Sequence, residues 1–135
     1  IPALQLIAVF AKQNNEYFNV GLFFWASGSL SSFLDNAPTY LNFLSASMGK
    51  YGLHLNNKAD VQNFVLIGSD YLRAISVGAV FFGAMTYIGN GPNFMIKSIA
   101  ESSGIEMPSF MIYLFKYSIP VLLPIFTIIW ILFFY

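Results

Sequence analysis

Asp35 and Asn36 stand side by side in Leu30-Ser31-Ser32-Phe33-Leu34-Asp35-Asn36-Ala37-Pro38-Thr39-Tyr40. A carboxylate, an amide and the hydroxyls of Ser31, Ser32 and Thr39 form a set of hard oxygen donors, which suits a small cation such as Na⁺. The carboxylate adds a second property. Burial raises a carboxyl pKa and a neighbouring cation lowers it, so a group in such a place holds either a proton or a cation. A second polar set, Asn90 and Asn93, lies in Gly89-Asn90-Gly91-Pro92-Asn93, where glycine and proline open the backbone and free its carbonyls. Ser31, Ser32, Asp35, Asn36, Thr39, Asn90 and Asn93 are therefore the expected ion- or substrate-binding residues, with Asp35 as the Na⁺ ligand. Pro38, Gly89, Gly91 and Pro92 are the expected structural breaks.

Both sets sit in a chain composed for a bilayer. Hydrophobic residues make up 57% and charged residues 9%, with a mean hydropathy of +0.66, against about 25% charged in soluble domains. So few charges cannot cover a soluble domain of this size. A carboxylate at bilayer depth costs at least ~2.5–3.5 kcal/mol, so Asp35 is expected to face a cavity, a partner or an ion. The net charge of zero gives no reason to expect a nucleic-acid partner. With no cysteine there is no disulfide framework, thiolate metal site or cysteine nucleophile. The single histidine excludes a His-Glu-x-x-His zinc site. Gly28-Ser29-Leu30-Ser31-Ser32 lacks the second glycine of a nucleophile elbow, an aspartyl enzyme would need a second suitably placed carboxylate, and no P-loop is present. The chain reads as a non-enzyme, without a cofactor beyond Na⁺ and H⁺ as transported or coupling ions.

The elements that position these residues follow from hydropathy and breakers. The apolar run at residues 1–11 would reach only ~16 Å as a helix, about half a hydrocarbon core. It is expected to be the end of a transmembrane helix, which makes the chain the C-terminal part of a larger protein. After a polar break at residues 12–16, residues 17–49 predict a re-entrant hairpin. Its first arm is rich in small residues (Gly21, Ala26, Ser27, Gly28) that allow close helix approach. Asn36 is the expected N-cap of the second arm, with Pro38 in the first turn and Gly49 as its stop. Residues 61–103 predict a broken transmembrane helix. One segment covers 61–88, and a short second segment covers 94–103, capped by Asn93 and closed by Gly104. Residues 110–135 predict a last transmembrane helix bent by Pro120 and Pro124. Asp70 with Arg73, and Lys97 with Glu101, have the spacing of structural ion pairs, with a coupling role for Lys97 as the alternative. Asn36-Ala37-Pro38 and Asn90-Gly91-Pro92 each open a helix too short to span, and paired broken helices point to a transporter binding site.

Ser31-Ser32-Phe33-Leu34-Asp35-Asn36-Ala37-Pro38 resembles the Ser-Ser-x-x-Asp-Asn-x-Pro signature of NhaD-type sodium/proton antiporters. More broadly the chain is similar to the ion transporter superfamily, which includes citrate and dicarboxylate carriers. Tyr87-Ile88-Gly89-Asn90-Gly91-Pro92-Asn93 is similar to the second break of that superfamily. The resemblance implies an all-α, polytopic membrane protein and the second of two inverted repeats of a secondary transporter, ordered as hairpin, broken helix and terminal helix. It implies alternating access, a bacterial inner membrane, a homodimer, and a missing N-terminal half that completes the site. Because a carboxylate occupies the tip where dicarboxylate carriers have neutral groups, sodium/proton antiport at Asp35 is the first expectation. A Na⁺- or H⁺-coupled citrate or dicarboxylate carrier is the alternative, and a non-transporting membrane subunit is the third.

Overall fold

The computed structural model describes residues 18–135 together with Leu6, Val9 and Gln13. The expected helix end at residues 1–11 and the polar break at 12–16 otherwise lie outside the described residues. Every regular element among the described residues is helical.

Asn19 opens the first helix described over its full length, α1 (Val20–Ser31), by accepting from the Leu22 N–H at 2.7 Å. After a turn over residues 32–35 the chain returns as α2 (Asn36–Lys50), so two helices joined by a short turn occupy the segment where a hairpin is expected. The cap differs from expectation by one residue. Asp35, not Asn36, is the N-cap, and its carboxylate accepts from the Asn36 N–H at 2.8 Å. Either residue type caps well, so local chemistry alone does not choose between neighbours. Gly49 is also not the stop. It is helical and buried, and the left-handed turn falls at Gly52 (φ 72°), where Leu53 N bonds Met48 O and Gly52 N bonds Gly49 O. This is a Schellman ending.

The expected single helix over 61–88 is two helices. α3 (Lys58–Ile67) and α4 (Ser69–Phe82) meet at Gly68 with a bend of 91°. A Cβ on Gly68 would run into the Phe64 ring, so glycine lets that ring close the bend. α4 tightens into a 3₁₀ turn at Gly83–Met85, and the chain is then irregular to α5 (Gly91–Ser102). Asn90 is the N-cap position of α5, in place of Asn93, and Pro92 lies in its first turn. Gly104 ends this arm as expected, at φ 81° and again with Schellman bonding.

The last helix, α6 (Phe110–Phe133), is the one helix among the described residues that is long and apolar enough to cross a membrane. α3 and α4 would make a second span if the bent pair counts as one. Over Tyr113–Ser118 α6 widens into π geometry, with the Ile119 N–H bonded to Leu114 O. The wide turn ends directly before Pro120, where an N–H is missing in any case.

α1 packs most closely on α4, and glycines set the spacing. A Cβ on Gly78 would lie 2.5 Å from Phe24 O, and one on Gly28 would lie 2.5 Å from the Phe82 ring. Small residues thus serve close approach, as expected where packing replaces the hydrophobic drive. Phe82 also stacks on Phe126 of α6 at 4.3 Å, so one ring joins three helices. At the far end of the hairpin, the Lys50 ammonium donates to Phe18 O (2.7 Å) and the Tyr71 hydroxyl (2.5 Å). That contact anchors the base of α2 while its tip reaches the helix break.

Candidate functional site: the hairpin tip and the helix break

Asn36 begins α2 and is half-buried against α4 and the break. Its amide nitrogen faces Ser31 Oγ at 2.5 Å, Ala79 O at 3.0 Å and Gly89 O at 3.1 Å. This orientation follows from the network, because the reverse would set the amide oxygen against acceptors. Ser31 Oγ in turn donates to Ala79 O at 2.6 Å. One amide therefore joins the end of α1, the body of α4 and the irregular segment after it. Gly83 makes room, since a Cβ there would come within 2.7 Å of the Asn36 amide.

A second layer lies beside the first. Ser32 Oγ bonds Gly28 O and Phe82 O, both at 3.2 Å. Thr86 is fully buried. Its hydroxyl donates to Ser32 O and accepts from Gly89 N at 2.9 Å. Asn93 reaches back from α5 to donate to Gly83 O (2.7 Å) and Thr86 O (3.0 Å). At the centre is Gly89, where a Cβ would meet Gly83 O at 2.6 Å, Ser32 O at 2.9 Å and Ser31 O at 3.1 Å. Main-chain oxygens freed by the two interruptions converge here, and the side-chain donors of Asn36, Thr86 and Asn93 stabilise them. The irregular backbone of the junction thus keeps its polar groups satisfied within the protein.

A family model, CitMHS_2, with the description "Putative citrate transport", matches residues 2–134. The chain belongs to this family. Membership agrees with the resemblance to citrate-type members of the ion transporter superfamily and makes the chain a membrane transport protein. No curated protein and no solved structure matches it.

In this member of the citrate transport family, Ser31, Ser32, Asn36, Gly89 and Asn93 lie together. Asp35 stands at the edge, exposed, with its carboxylate on the Asn36 N–H. It occupies the positive end of α2, where negative charge is favourable. Thr39 is buried, and its hydroxyl has no hydrogen-bond partner among the described residues. Asn90 makes no side-chain capping bond, and no described residue comes within 4 Å of a Cβ built on Gly91. Among the described residues no group of three or more His, Cys, Asp or Glu could hold a metal ion, so a cation at Asp35 would draw its other ligands from neutral oxygens. The neighbouring cleft of about 390 Å³, bordered by Trp25, Ser32, Phe33 and Phe115, is mostly apolar.

Thr86, Gly83 and Ala79 are site residues that the sequence did not single out. Thr86 carries one legible signal, a hydroxyl residue three positions before a glycine in a break, the spacing of a side-chain turn. Ala79 and Gly83 act through their carbonyl groups and through small size.

Proposed function

We propose that this chain carries the hairpin and broken helix of a secondary transporter that moves a citrate-type organic anion together with Na⁺ or H⁺ across a bacterial inner membrane. The observation that supports it most directly is the Asn36 amide, which ties the N-terminus of α2 to the break that precedes α5. Two half-helix N-termini thus share one locus, each carrying about half a positive charge, and such termini commonly face substrate carboxylates in transporters. The family description names the same cargo class. Asp35 supplies the coupling. Its carboxylate repels an approaching anion until Na⁺ or a proton neutralises it, so cation and anion bind together. Alternating access then follows from this unit moving against an inverted first repeat, in a homodimer.

The exposed carboxylate at the tip also favours a second reading, sodium/proton antiport with Asp35 as the competitive site. The complete protein in proteoliposomes separates the two. Labelled citrate should accumulate when an inward Na⁺ or H⁺ gradient is imposed and stop when it is collapsed. No citrate uptake, together with Na⁺-driven proton release, would overturn the anion reading in favour of antiport. Asp35→Asn keeps an oxygen able to cap α2 and removes the charge. Loss of transport by a folded Asp35→Asn protein is the expected result, and full transport would reduce Asp35 to a cap.

A further inference from the structure

Lys97 lies one turn after Asn93 on the same face of α5, with Glu101 a further turn on. Its ammonium pairs with Glu101 at 2.5 Å and lies 5.5 Å above the ring of Tyr87 in the break. Tyr87 is 5% exposed and held by its hydroxyl on Pro108 O, so the ring is a fixed floor. The other cations among the described residues are placed elsewhere. Lys50 anchors the far end of α2, Lys58 begins α3, Arg73 pairs with Asp70 near the start of α4, and Lys116 lies against Tyr117.

Helix stability gains little from the Lys97–Glu101 pair. A lysine four residues before a glutamate is the weaker order for an i,i+4 pair. Glu101 also falls in the last turn of α5, where the helix dipole disfavours negative charge. The pair is one-sided and partly exposed, with side chains 20% and 45% accessible, a setting in which ion pairs are weak and easily exchanged.

We propose that Lys97 is a specificity-determining residue for the anionic substrate: it exchanges Glu101 for a substrate carboxylate beside Asn93 and the break, and Glu101 holds the ammonium in place while the site is empty. This rests on the citrate reading above. It predicts opposite effects from the two partners, because Glu101 competes with the substrate for one ammonium. In the complete purified protein at saturating Na⁺, Lys97→Gln raises the citrate Kd by about tenfold or more, as for loss of a charge-assisted hydrogen bond. Glu101→Gln lowers the Kd, and Lys97→Arg retains most of the affinity. Thermal midpoints recorded alongside identify any variant that has lost its fold.

A purely structural pair gives another pattern, with both neutral variants less stable and citrate affinity unchanged or weakened in both. Unchanged affinity in Lys97→Gln, or weakened affinity in a folded Glu101→Gln, overturns the role of Lys97 while leaving the citrate reading intact. Absence of citrate binding by the wild-type protein overturns the citrate reading and this proposal together.

Discussion

Replacing Asn36 tests whether the tip and break are joined as described. The amide faces three acceptors, Ser31 Oγ, Ala79 O and Gly89 O, at 2.5–3.1 Å, but it has two hydrogens, so at most two bonds form at full strength. At about 1 kcal/mol net per bond, with a further cost for carbonyl groups left unpaired, Asn36→Ala should destabilise the protein by ~2–3 kcal/mol. Asn36→Asp keeps the shape and replaces the donor by an acceptor, so its oxygens meet Ala79 O and Gly89 O directly. It should therefore be less stable than Asn36→Ala at neutral pH, although alanine is the larger truncation. Unfolding of the purified protein in detergent, followed by circular dichroism, gives the order. An aspartate variant as stable as the alanine variant would refute the amide orientation and the network built on it.

Gly89→Ala places a methyl group within 2.6–3.1 Å of three backbone oxygens. With backbone on every side it should cost about 1–3 kcal/mol or more and lower citrate uptake, both measurable in one detergent preparation and one vesicle assay. Thr86→Val preserves volume but removes the donor to Ser32 O and the acceptor for Gly89 N. A loss of about 1–3 kcal/mol is expected from the buried groups left unsatisfied, together with faster hydrogen exchange at the Gly89 amide.

The two interruptions were legible because their causes are local. Pro38 and Pro92 fit a first helical turn, where no intrahelical N–H is lost, and Gly104 ends its helix with the positive φ that glycine favours. The long apolar last helix was legible from length and hydropathy. What escaped depends on packing at a distance. Gly68 reads as a tolerated glycine within a helix, whereas the structure bends by 91° there with the Phe64 ring in the space a Cβ would fill. Gly49 reads as a stop, yet it is buried in α2, and the turn waits for Gly52. Asn93 has the composition of a cap and instead spans to Gly83 and Thr86, a contact set by how α5 folds back. Most acceptors of the site are carbonyl groups, which every residue carries, so no side-chain pattern could reveal Ala79.

The donors at the junction are the side chains of Ser31, Ser32, Asn36, Thr86 and Asn93, and most of the acceptors are main-chain oxygens that no substitution can delete. Variation is therefore constrained on one side of each bond only. A saturation scan should find intolerance concentrated at the donors and at Gly83 and Gly89, where added bulk would separate the partners. Position 79 should accept any residue that keeps its helix and its volume. Drift at Ala79 is nearly free, while each donor is held individually.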